Sequence, residues 1–203
     1  MAQPIPRLTG QQHQPMQEPL AGTPGAPARA SGLQWPIAVL SGTVIVSLSA
    51  QVAVPLPFTP VPLTLQGLAV LLVGGLFGAA AGAGALVLYL TAGAFGAPVF
   101  AMGTSGLSRL FGPDGGYLLA FLLAAIVVAR LAGRGQLIRS VLAAAVGMLV
   151  IHMGGWAQLT LLSGSAERAV TLGLKPFVLQ DSLKVVLAGV IIWRGHHALR
   201  PRA

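Results

Sequence analysis

Two ionisable residues, Asp181 and Lys184, lie inside an otherwise apolar run near the end of the chain. Charges at membrane depth cost at least about 2.5–3.5 kcal/mol each on insertion scales, so they are rare and usually functional. Their i, i+3 spacing puts both on one helix face. Such a pair can simply compensate itself and hold a bundle together. It can also form the polar part of a ligand pocket. The pair falls in the outer half of its run, close to the loops, and that position favours the pocket. Arg109 is a further cation near the same mouth. It could hold an anionic group, or it could be solvated surface. Tyr117 follows the turn-forming Gly112-Pro113-Asp114-Gly115-Gly116 and would present a ring and a hydroxyl to the interior or the interface. His152 is lone and mid-span, and a hydrogen bond to a neighbouring helix is its expected use.

Other chemistries find little support. Gly103-Thr104-Ser105-Gly106 matches the G-x-S-G of rhomboid intramembrane proteases. A serine nucleophile needs an adjacent base, and His152 lies on the fifth apolar segment rather than the sixth. There is no G-x-x-x-x-G-K-[ST] phosphate loop, so ATP hydrolysis is not expected of this chain. No cluster of His, Cys or carboxylates has metal-ligand spacing, and no cofactor is implied. No convincing inverted repeat of the secondary-transporter kind is present. Aromatic residues are scarce and no basic patch interleaves with them, so nucleic acid is not an expected partner.

The elements that must position these residues are membrane helices. The 203 residues are 55% hydrophobic and 8% charged, against about 25% charged in soluble domains. Apolar segments of the length that spans a bilayer are expected at Trp35–Val54, Leu65–Phe77, Ala79–Phe95, Gly116–Leu131, Ser140–Leu162 and Pro176–Trp193. The expected fold is therefore all-α and integral to the membrane, a bundle of six transmembrane helices. Residues 1–34, rich in Pro, Gln, Gly and Ala, read as a disordered tail. Residues 35–193 form the transmembrane domain, and 194–203 a basic tail. The tails and the 132–139 loop concentrate arginine, which puts both termini on the cytoplasmic side of the cell membrane. Three loops, one of them Ser163–Lys175, then face outward over one pocket. Small residues at small-xxx-small spacing, among them Ala38 and Gly42, allow close helix approach. That closeness serves internal packing or a groove for a partner helix.

Between the first two segments runs QVAVPLPFTPVPLTLQ, Gln51 to Gln66. Pro55, Pro57, Pro60 and Pro62 exclude helix, because each removes an N–H and restricts its predecessor. The stretch is extended, yet Phe58 and its neighbours leave only Thr59 and Thr64 as polar groups between the end glutamines. Apolar, non-helical backbone beside membrane helices is tolerated where protein buries it or where it lines a cavity. It is either a lid over a binding site or a plain connector.

The run VPLPFTPVPLTLQ resembles the signature of the BioY family, the membrane-embedded substrate-capture (S) components of energy-coupling-factor vitamin transporters, whose ligand is biotin. The resemblance continues through LYLTAGAFGAPVF, LFGPDGGYLLAF and PFVLQDSLKVVLA, from about Trp35 to Trp193. It implies high-affinity capture of biotin from outside, with no catalysis. It also implies a transmembrane coupling subunit and ATP-binding-cassette ATPases as partners. A homo-oligomer in the lipid stays open, as does which biotin group Asp181 and Lys184 each meet. In such a site Asp181 would accept ureido N–H bonds. Lys184 or Arg109 would meet the carboxylate. Trp156, after two glycines as in the family, would wall the apolar ring or simply pack. Ala38 and Gly42 would touch the coupling subunit. Asp114 stands where the family more often has Thr. The alternative from another class is an energy-independent carrier or channel for a different small anion; a rhomboid-like protease is a distant third.

Overall fold

A computed structural model describes residues 33–133 and 136–198. The expected N-terminal tail lies almost wholly outside these residues, as do Arg134, Arg200 and Arg202. Helix α1 spans Gln34–Gln51. Strands β1, Ala53–Val54, and β2, Leu63–Thr64, pair antiparallel with Ala53 opposite Thr64. The proline-rich stretch is therefore the loop of a short ribbon. Its prolines cannot donate to a ladder, so pairing stops after two residues on each side.

Helix α2, Gln66–Ala94, is broken at Gly78, where φ is 82° and ψ is 173°. Its two arms fold back on each other. The Gln66 amide donates to the Tyr89 hydroxyl at 2.6 Å, whereas an unbroken helix would separate residues 23 apart by about 35 Å. The expected second and third segments are these arms. Gly78 is needed because that backbone geometry is open to almost nothing else. The break also frees carbonyls in the first arm, and the His196 ring meets that of Gly75 at 2.9 Å.

Helices α3, Leu107–Phe111, and α4, Gly115–Leu131, follow a 3-10 turn at Ala101–Gly103. Helix α5, Leu137–Ser163, ends at Gly164 in the left-handed conformation. The segment expected as a polar loop at 163–175 contains α6, Ala166–Gly173, whose first turn is capped by the Ser165 hydroxyl accepting from the Arg168 N–H. After a 3-10 turn at Lys175–Phe177, α7 runs over Val178–Ala198. It continues through the first half of the expected basic tail.

Among the described residues, three stretches, Gln66–Ala94, Leu137–Ser163 and Ala166–Ala198, are long and apolar enough to cross a membrane. Large apolar side chains also point outward all round the bundle, including Leu40 and Leu48 on α1, Leu123 on α4, Leu149 on α5 and Leu183 on α7. Water does not tolerate so much contiguous apolar surface; lipid does. Inside, backbones approach closely. A Cβ added at Gly74 would overlap the backbone of Ala125 in α4, and one added at Gly116 would overlap the Gly154 carbonyl in α5. Gly42 is used in the same way: it is buried, and a Cβ there would lie 2.7 Å from that of Ala85. Its small size serves packing within the chain rather than a free groove. Ala38, one turn earlier, is half-buried, and the outward face of α1 is formed by Ile37, Leu40, Val44 and Leu48.

Replacing Gly78 by alanine should cost about 1–3 kcal/mol, the usual cost of a residue held in such a backbone region. Thermal unfolding in detergent measures it. An unchanged midpoint would show that the turn between the arms does not depend on this glycine.

Candidate functional site

A cavity holding about 640 Å³ of unfilled space, its open mouth included, lies between α4, α5, α7 and the end of the proline-rich loop. Its apolar walls include Phe100, Phe121, Phe177, Met148 and Ile151. Val61 and Pro62 contribute from the loop.

Asp181 and Lys184 sit one turn apart on α7, as their spacing requires, and both line the cavity. The Lys184 ammonium donates to Asp181 Oδ1 at 2.7 Å and to the Thr64 carbonyl in β2 at 2.6 Å. The second carboxylate oxygen, Oδ2, lies 3.1 Å from His152 Nε2 on α5. One buried carboxylate thus ties α7 to α5, and through Lys184 to the loop. Each side chain of the Asp181–Lys184 pair is 10% exposed. Lys184 retains one N–H, and each Asp181 oxygen retains a lone pair.

A second ion pair stands on another wall. Arg109 Nη2 donates to Asp114 Oδ2 at 2.5 Å, from α3 to the residue just before α4. Burial holds the Asp114 carboxyl above its usual range, against the opposing pull of Arg109. The Gln158 amide fixes this corner by donating to the carbonyls of Leu110 and Gly112. The Tyr117 ring lies over Gly155, where no side chain intervenes. Its hydroxyl donates to the Gly173 carbonyl at the end of α6, at 2.7 Å.

Six buried side-chain polar atoms among the described residues have no hydrogen-bond partner. Four of them belong to residues that line the cavity: Arg109 Nε, Asp114 Oδ1, His152 Nδ1 and Gln180 Nε2. Buried polar groups left unpaired cost free energy, and their convergence on one cavity marks a place where a polar ligand would satisfy them. Among the described residues, no three His, Cys, Asp or Glu side chains gather as a metal cage.

Asp181, Lys184, Arg109 and Tyr117, all singled out from the sequence, line one cavity. Trp156 lies elsewhere. It does not line the cavity; its indole N–H points at the Ala166 carbonyl, 3.4 Å away, and the ring packs against the core beneath α6. Of the loop, Pro62 lines the cavity, Thr59 is buried, and Pro55, Pro57, Phe58 and Pro60 do not line it. Asp114, His152, Gln180 and the Thr64 carbonyl were not assigned to the site from sequence. His152 carried a signal as a lone polar residue in an apolar helix, and Asp114 as a charge where the family more often has Thr.

The sequence profile of the BioY family matches residues 26–201. A probable biotin transporter BioY of Pyrococcus horikoshii is 37% identical over 150 residues, which is 74% of this chain and 88% of the relative. The biotin transporter BioY of Thermotoga maritima is 36% identical over 153 residues, covering 75% and 89%. The chain belongs to the BioY family. Its fold is similar to a crystal structure of the S-component for biotin from an ECF-type ABC transporter, with TM-score 0.72 at 22% identity, over 81% of this chain and 94% of that one. BioY membership accounts for the ordered motifs that run along the chain. The proline-rich run and the D-x-x-K pair converge on the cavity, joined by the Lys184–Thr64 bond.

Removing one partner of a buried ion pair leaves an uncompensated charge and costs about 3–5 kcal/mol. Lys184→Met should therefore destabilise the bundle strongly, and adding Asp181→Asn should recover part of the loss. Unfolding midpoints of the two single variants and the double variant measure this. Strictly additive effects would show that the two side chains do not interact.

Proposed function

We propose that this chain captures biotin from the outer side of the cell membrane as the substrate-binding component of an ECF-type transporter. The observation that carries the reading is the cavity: apolar walls, two self-compensated ion pairs, and four unpartnered polar atoms. Biotin matches that chemistry. Its ureido ring has two N–H donors and a carbonyl, its thiolane is apolar, and its flexible tail ends in a carboxylate. The ureido group is neutral and belongs beside the balanced Asp181–Lys184 pair. Asp181 accepts from ureido N–H, and the spare Lys184 N–H donates to the ureido carbonyl; charge-assisted bonds of this kind are the strong ones. The carboxylate belongs at Arg109, whose Nε–H is free. Phe100, Phe121 and Tyr117 flank the ring system and the tail.

The proline-rich loop is the lid. Thr59 donates to the Leu172 carbonyl of α6 at 2.6 Å and accepts from the Val61 N–H at 3.2 Å, which fastens the loop over the mouth. A coupling subunit and a pair of ATP-binding-cassette ATPases supply the motion that this small chain has no motor to make. The apolar outward face of α1 is available to the coupling subunit or to lipid. The arginines Arg130, Arg139 and Arg194 lie at the helix ends opposite the lid, so that face and both termini are cytoplasmic.

Calorimetry of the purified chain in detergent tests this reading. Biotin should bind tightly and one-to-one without ATP. Absence of binding by folded protein would falsify the assignment. Arg109→Gln should weaken biotin at least tenfold while affecting its neutral amide far less. Equal losses for both ligands would move the carboxylate elsewhere. Thr59→Val removes the bond to the Leu172 carbonyl, worth about 0.5–1.5 kcal/mol net, together with the loop-internal bond from the Val61 N–H. Bound biotin should then leave about 2- to 10-fold faster in a chase experiment, and an unchanged rate would remove the latch.

A further inference from the structure

Asp114 is a charged group at the cavity to which biotin binding, as described, gives no task. It lies 2.5 Å from Arg109 through one oxygen, and its other oxygen, Oδ1, is buried without a partner. Arg109 Nε is likewise buried and unpartnered. The cavity-lining charges are Arg109, Lys184, Asp114 and Asp181, which balance when His152 is neutral. A ligand carboxylate entering this space therefore adds an uncompensated negative charge between apolar walls, which is expensive. The cation with an open donor already has a counter-ion. Two carboxylates sharing one guanidinium favour a proton on one of them.

We propose that Asp114 makes capture of an anionic ligand proton-linked: it holds Arg109 in the empty site, and it takes up one proton from solvent as the ligand's carboxylate claims the guanidinium. The neutral Asp114 carboxyl then keeps a hydrogen-bond donor for the incoming carboxylate, and the charge count of the cavity is unchanged. This inference rests on the biotin reading, with the carboxylate at Arg109. Burial already works in this direction on Asp114. The other titratable groups facing it are Arg109 from α3, Tyr89 from α2, Tyr117 on α4, His152 from α5, and Asp181 and Lys184 from α7. Arginine, tyrosine and lysine ordinarily titrate near 10 or above. Asp181 already has both oxygens engaged by cationic or N–H partners.

The test is calorimetric titration of the full chain in detergent between pH 8 and pH 6, in two buffers of different ionisation enthalpy. With biotin, close to one proton should be absorbed per ligand bound, and affinity should rise by up to about tenfold per unit fall in pH. Biotin amide should bind with no such dependence. Asp114→Asn should abolish proton uptake for biotin, while His152→Gln, even if weaker in affinity, should retain it. The inference is overturned if wild-type protein binds biotin without proton uptake, if biotin and its amide show equal uptake, or if uptake survives in Asp114→Asn and vanishes in His152→Gln. Should Asp114→Asn fail to fold, the comparison of biotin with its amide still decides. Failure of biotin to bind at any pH breaks the biotin reading, and this inference with it.

Discussion

A carboxylate buried among apolar helices has to be neutralised by partners brought to it, because lipid and protein offer no solvation of their own. Asp181 is that carboxylate. Lys184 is one turn away on the same helix, His152 comes from α5, and the Thr64 carbonyl holds the ammonium from the ribbon. These contacts set how α7 is rotated, how far α5 approaches, and where the proline-rich loop re-enters the bundle. Glycine packing then allows the remaining helices to close round that arrangement, with the Tyr117 ring seated on Gly155 and its hydroxyl on the end of α6.

Much of this was legible because it rests on local rules. Four prolines within eight residues exclude a helix whatever surrounds them. Two ionisable residues in an apolar run must share a helix face and must have a reason to be there. Gly78 falls in the one-residue gap between the segments expected at Leu65–Phe77 and Ala79–Phe95, and those segments are the arms of α2. The cavity's remaining polar groups were not legible. Asp114 meets Arg109 only because α3 and the turn before α4 fold together, a tertiary fact with no periodicity to announce it. Gln180 precedes Asp181 and looks like an ordinary polar residue near a helix end.

The element beside Trp156 was hidden in the sequence. The stretch 163–175 carries Ser, Glu, Arg and Lys, so it reads as a solvated loop. In the fold, Ser165 caps a short helix there, and Ala169 and Gly173 bury its inner side. That helix brings the Ala166 carbonyl to the Trp156 indole N–H. A weak helix whose stability comes from what it packs against is the element a pattern of apolar residues conveys least well. The same helix turns the carbonyls of Leu172 and Gly173 toward Thr59 and Tyr117, so missing it also hid what fastens the loop.

The Thr64 carbonyl lies in the two-residue ribbon and also receives the Lys184 ammonium. Lifting the loop at that point withdraws an acceptor from a buried cation, and the energy of the open form rises with every ångström of travel until water reaches the amine. Asp181 stays with the cation, so the ribbon end is tied to α7 by one bond that any movement of the loop there has to break.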